Sequence, residues 1–227
     1  PLTDDTPRTP PLIQAKASYL ILGDVQSELG QTWAASLLEL GASVFWINTH
    51  PKSKVPPSLL NDQMSLMNAA TSETIQAAIQ SIQTSSGMPR GIFVCSDTAN
   101  KQSAAPLTLL QKSHWEYNQQ SKRMPLEALA SCLDSDIPKF VCAQSSLSSI
   151  IGGMGLAAYS GTNHQVDAMV AIQNQKQSCA WYAINWDRLT HGAVQSDSEK
   201  NTNEEHPSNA IERELAWETT LRILTQA

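Results

Sequence analysis

Short apolar runs alternate along this chain with amphipathic stretches, and that alternation predicts an architecture before any single residue is considered. Residues 19–22 (YLIL) form a compact apolar run stopping at Gly23, and apolar residues then recur at helical spacing over 29–40 until Gly41 ends the pattern. Residues 44–47 (VFWI) predict a second strand and 65–68 a weaker third, after which Thr71 with Thr74 introduces a helix to about Ile82. Three further buried strands are predicted at 91–95 (GIFVC), 139–143 (KFVCA) and 179–185 (CAWYAIN). Helical patterns fill 107–133 and 158–173, the polar stretch 195–209 reads as a loop, and helical periodicity returns over 210–224. Strands separated by helices this long need crossover connections, so the expected fold is α/β, a doubly wound parallel sheet covered on both faces.

Composition narrows the function classes. A chain of 227 residues suits one large domain, burying about three quarters of the surface that its unfolded form exposes. The formal net charge of -6 leaves no basic footprint, which argues against nucleic acid or a membrane surface as a partner. Cys95, Cys132, Cys142 and Cys179 are irregularly spaced, with neither CxxC nor a Cys/His metal pattern. They read as reduced, largely buried thiols of a cytoplasmic protein, and no metal site is expected. Residues 1–16 are Pro-rich and polar, an interdomain linker in character, and residues 17–227 form the folded unit.

The chemistry gathers around the fifth predicted strand. Ser146 lies at its end, Tyr159 follows thirteen residues later at the start of the next helix, Asn163 comes four residues after that, and Lys122 stands 24 positions before the serine. In a doubly wound sheet, ligands collect at the carboxyl ends of the strands, where these groups can converge on one carbonyl oxygen. A tyrosine hydroxyl, ordinarily titrating at about 10, becomes a useful proton donor beside an ammonium, and Lys122 supplies one. Ser146 would hydrogen-bond the carbonyl, and Asn163 would hold the helix and a proton-relay water. Each residue alone has an ordinary reading, as loop serine, packed aromatic, solvated lysine or helix-surface amide. At these joint spacings the four point to proton delivery.

The segment FVCAQSSLSSIIGGMGLAAYSGTNHQVDAMVA, followed by AWYAINWDRL, resembles the ketoreductase domains of modular type I polyketide synthases, in the short-chain dehydrogenase/reductase superfamily. GIFVCSD, the stretch carrying Lys122 and the closing ERELAWETTLRIL extend the resemblance over nearly the whole chain. It implies a Rossmann-like fold and a catalytic set of Lys122, Ser146, Tyr159 and Asn163. The implied reaction is NADPH-dependent reduction of a β-ketoacyl thioester held on an acyl carrier protein, with that carrier and other synthase domains as partners. The family's amino-terminal structural subdomain is absent from this sequence.

The cofactor side departs from the family pattern. Its Gly-rich turn, which lets backbone approach a pyrophosphate at a helix N-terminus, is here LGDVQSELG. Gly23 and Gly30 are retained, while Asp24 and Ser27 stand at glycine-like positions and Asp97 replaces a glycine after the fourth strand. Only His50, Lys52 or Lys54 could greet a 2′-phosphate. NADPH affinity is therefore expected to be low. His164 reads as a hydrogen-bonded structural group, His114 and Trp115 as packing, Glu204 and Glu205 as solvated acids, and Trp186 equally as packing or as a border of the acyl chain. With Ile151 at a stereochemical marker position, product configuration stays unassigned. Reduction is the expected activity. The alternatives are a redox-inactive structural module and a cofactor-free α-epimerase acting through Tyr159 and Ser146.

Overall fold

The computed structural model describes residues 12–59, 61–96, 105–133, 137–176, 179–187 and 211–225. Asp97, Glu204, Glu205, the polar stretch 195–209 and most of the expected linker lie outside these residues. Six parallel strands, β1 (Ser18–Gly23), β2 (Ser43–Asn48), β3 (Met64–Asn68), β4 (Gly91–Val94), β5 (Phe140–Ser146) and β6 (Ala180–Trp186), form one sheet in the order 3-2-1-4-5-6. The expected doubly wound sheet is therefore present. The winding reverses between β1 and β4, which opens a crevice beyond their carboxyl ends.

Side chains alternate across the sheet as strand geometry requires. Tyr19 and Ile21 of β1 join Trp46, Phe93 and Phe140 on one face, covered by α1 (Glu28–Glu39) and α7 (Arg213–Thr225). There Trp33 lies 4.9 Å from Phe93, and Phe93 meets Phe140 edge-on at 5.4 Å. The Trp33 indole also donates to Thr220 Oγ1 at 3.1 Å, tying α1 to α7. Leu20 and Leu22 point to the other face, against Ile75 and Ile79 of α2 (Ser72–Ser86), Leu126 and Leu129 of α4 (Met124–Ala130), and Val166 and Val170 of α6 (Ala157–Gln175). Thr71 and Thr74 form a reciprocal capping box at the start of α2, as the sequence predicts.

One predicted helix is corrected. Residues 107–133 do not form a continuous helix: Leu107–Leu109 is a single 3-10 turn after Pro106, and α3 (Lys112–Asn118) begins only after an extended Gln111. Between α3 and α4 the helix widens into a π turn at Gln119–Arg123. A short helix that the pattern does not predict, α5 (Ser148–Ile151), follows β5. Among the described residues, no helix is long and apolar enough to cross a membrane.

Candidate active site

β5 delivers Ser146 to the crevice, and its exit is fixed by backbone bonds. Leu147 N–H donates to the Trp186 carbonyl at 2.9 Å, and the Asn185 amide donates to the Ser146 carbonyl at 3.2 Å. Ser146 Oγ accepts from Ser148 N at 3.2 Å, which turns the chain into α5. Gly155, at φ 75°, adopts a conformation that favours glycine and redirects the chain into α6. Asp167 on α6 steadies this loop, accepting from Ser149 Oγ at 2.6 Å and from Asn185 Nδ2 at 2.9 Å.

Tyr159 stands in the first turn of α6, half-buried, with Asn163 fully buried one turn later. Asn163 Nδ2 donates to the Tyr159 carbonyl at 3.0 Å, and Ser145 Oγ donates to the Asn163 carbonyl at 3.4 Å. Asn163 thus braces the turn that carries the tyrosine. Lys122 approaches from the opposite wall. A π turn often marks a functional position because the inserted residue re-aims a side chain, and this one places Lys122 4% exposed. Its Nζ lies 4.9 Å from the centroid of the Tyr159 ring and donates to Ser96 Oγ at 2.7 Å. An ammonium over an aromatic face is held by the ring quadrupole. A solvated-lysine reading is therefore wrong for Lys122. His164 is exposed, and Trp186, 4% exposed, belongs to the core, which settles it as packing rather than a substrate border.

On the other side of the crevice, the β1–α1 turn is bonded partly within itself and partly to β2 and the loop after it. Gly23, at φ 151°, is hemmed in: a Cβ there would come within 2.1 Å of the Cys95 carbonyl oxygen. Its own carbonyl accepts from Trp46 Nε1 at 3.0 Å and Thr49 N at 3.2 Å. Asp24 is 5% exposed, and its Oδ1 accepts from Gln26 N at 3.0 Å while Oδ2 lies 3.6 Å from His50 Nδ1. Ser27 is the N-cap of α1, its Oγ accepting from Gly30 N at 3.2 Å. Gly30 seats α1 on the sheet, since a Cβ would come within 2.6 Å of Cys95 Sγ and 3.0 Å of Trp46. Burial pushes the Cys95 thiol up to about 12, partly offset by its hydrogen bond with Ser27. Beyond His50, a cavity of about 370 Å³ is lined by Thr49, His50, Lys52, Ser53, Gln120 and Met124. Lys54 is not among its lining residues.

The pattern of motifs did not single out Ser96, Gln144 or Asn185. Ser96 and Gln144 left a trace nonetheless, as polar residues within or just beyond the apolar runs GIFVC and KFVCA. Among the described residues, no cluster of three His, Cys, Asp or Glu side chains could hold a metal ion.

A family model described as the KR domain matches residues 17–191. No protein of curated function matches the sequence. Among solved structures, the ketoreductase from the first module of phoslactomycin biosynthesis in Streptomyces sp. HK803 superposes with a TM-score of 0.74 at 16% identity, over 94% of this chain and 51% of that one. A ketoreductase domain from the bacillaene assembly line gives 0.72 at 16% identity, over 91% and 52%. A short-chain oxidoreductase from Pseudomonas aeruginosa PAO1, described as having an atypical catalytic center, gives 0.62 at 15% identity, over 79% and 73%. The chain spans about half the length of both ketoreductase structures. At these identities the likeness establishes the fold, a Rossmann-like sheet of the short-chain dehydrogenase/reductase type.

Proposed function

The chain belongs to the KR-domain family, and from that premise we propose that it acts on a β-ketoacyl thioester carried by an acyl carrier protein, delivering a proton to the β-carbonyl oxygen from Tyr159. The observation that carries this reading is the buried Lys122 ammonium 4.9 Å from the Tyr159 ring. A positive charge there stabilises the phenolate that proton donation leaves behind. Ser146, at the strand end, would hydrogen-bond the same oxygen, and Asn163 holds the tyrosine's turn.

The family's cofactor class, NAD(P)H, would supply a hydride to the β-carbon when bound. The turn residues do not fit its diphosphate. The Asp24 carboxylate occupies the backbone N–H of Gln26, Ser27 occupies that of Gly30, and the acid's negative charge opposes a second anion at the same helix end. The KR family and its ketoreductase neighbours support a reductase, while the chemistry that this turn and these residues favour by themselves is proton exchange without hydride. As Tyr159 protonates the β-oxygen, the α C–H bond breaks, its proton passes to water, and its electron pair forms the α,β double bond of an enol. Reversal on the other face inverts the α-centre. Reduction with NADPH is the second reading, favoured by the cavity beside His50 and Lys52.

The test is incubation of the purified protein with an α-deuterated 2-methyl-3-ketoacyl thioester, with and without NADPH, followed by mass spectrometry. Deuterium loss without NADPH supports the proposal. A β-hydroxy product formed only with NADPH replaces it with the reductase reading. Neither outcome at any cofactor concentration leaves a redox-inactive structural module.

A further inference from the structure

Lys122 carries its charge on a flexible four-carbon stem, so its place over Tyr159 needs a tether. The tether visible here is Ser96, two residues beyond β4 and 3% exposed, whose Oγ accepts from Lys122 Nζ at 2.7 Å. Ser96 is itself pinned, because its backbone N–H donates at 2.9 Å to Oε1 of Gln144, a side chain 5% exposed within β5. Gln144 lies two residues before Ser146 on the same strand. Buried polar side chains are costly unless they are paired, and these two pair with each other and with the lysine.

We propose that Ser96 is a positioning residue for the proton-transfer set: its hydroxyl fixes the Lys122 ammonium against the Tyr159 ring, and Gln144 fixes Ser96. The chain Gln144, Ser96, Lys122, Tyr159 links β5, the end of β4, the π turn and α6 through the Ser96 backbone N–H and side-chain groups. Loss of the hydroxyl removes the 2.7 Å bond that fixes the ammonium at this position. The backbone at residue 96 keeps its bond to Gln144, so truncation of the side chain leaves the strand end in place.

The functional half of this proposal rests on Tyr159 being the proton donor, and the experiment separates the two ideas. Protein labelled with ¹⁵N-lysine is examined by proton–nitrogen correlation at low temperature, where a buried, hydrogen-bonded ammonium gives a slowly exchanging signal, assigned by its absence from Lys122→Arg. The expected result is that Ser96→Ala and the size-conserving Ser96→Cys lose that signal, while Ser96→Thr, which keeps a hydroxyl, retains it. In parallel, α-deuterium loss slows about tenfold in the Ala and Cys variants and recovers in Ser96→Thr, a modest share of what proton donors contribute. An ammonium signal unchanged in both Ala and Cys variants overturns the tether, and so does unchanged exchange in the presence of a lost signal. Absence of exchange in the unmodified protein overturns Tyr159 as donor, and the ammonium signal then decides the tether by itself.

Discussion

On the β5–α6 side of the crevice, polar groups from separate elements meet: Lys122 from a π turn, Ser96 from the end of β4 and Tyr159 from α6. On the β1–α1 side, the Asp24 carboxylate and Ser27 hydroxyl are bonded to backbone N–H groups of their own segment, Gln26 N and Gly30 N, while the Gly23 carbonyl accepts from Trp46 and Thr49 of the neighbouring strand and its exit. One side has convergent side chains with a charge in their midst, whereas the other is satisfied internally. Both stand at the carboxyl ends of strands of a single sheet. The contrast teaches that family membership fixes where a site lies, while the local residues decide how much of the family's chemistry each side can perform.

The largest effect that would break the comparison is at Tyr159. Tyr159→Phe removes the proton donor and keeps the half-buried ring under Lys122, so α-deuterium loss is expected to fall about 10²–10⁴-fold with unchanged circular dichroism. A variant with full activity would make the convergent side as silent as the other. The next test tries to convert the closed side. Asp24→Gly removes the carboxylate from the N-terminal end of α1, and combination with Ser27→Gly uncovers a further N–H. NADPH affinity, followed by nicotinamide fluorescence, is expected to rise about tenfold or more, equivalent to about 1.4 kcal/mol. Equal affinity in parent and double variant would show that the closed turn is not what limits binding.

How much of this was legible in sequence differs between strands and site. The apolar cores of five strands were plain, because parallel strands buried on both faces read as continuous apolar runs, whereas the edge strand β3, only partly buried, gave a weaker pattern. Their polar ends were not: Ser18, Asn48 and Ser146 are strand residues through ladder pairing with neighbours far along the chain. The helix expected over 107–133 failed for a local reason. Periodicity cannot register the 3-10 turn after Pro106, or the π insertion at Gln119–Arg123 that re-aims Lys122. Lys122 lies in the polar stretch NQQSKRMP, where nothing announces burial, yet spacing alone marked it as a candidate. Ser96 and Gln144 were visible as polar residues at the ends of apolar runs, but their pairing joins positions 48 residues apart and needs the β4–β5 register.

Two smaller effects sharpen what the closed side retains. Gly30→Ala places a methyl within 2.6 Å of Cys95 Sγ and 3.0 Å of Trp46, so overpacking should lower stability by about 1–3 kcal/mol in urea titration. Cys95 adds a pH dependence. Its thiol is held near 12 in the fold by burial, above its ordinary value of 9.0, so the unfolded chain releases a proton before the native state does. Stability therefore falls as pH rises from about 9 toward 12, by about 1 kcal/mol per pH unit where only the unfolded thiol ionises. Urea midpoints that stay constant over this range would mean that water reaches Cys95.

The smallest effect is at the N-cap. Ser27→Ala deletes the acceptor for Gly30 N and the hydroxyl beside the Cys95 thiol, so a loss of about 1 kcal/mol is expected. Ser27→Gly should lose only a few tenths of a kcal/mol, since glycine lets water reach the freed N–H. If the turn serves only to seat α1 on the sheet, both variants exchange α-deuterium at the unmodified rate, because Ser27 is bonded to Gly30 N and the Cys95 thiol. A fall in exchange out of proportion to the loss of stability would couple the two sides. The carrier would then be Cys95, which lies against Gly23 and Gly30 and precedes Ser96 in the chain.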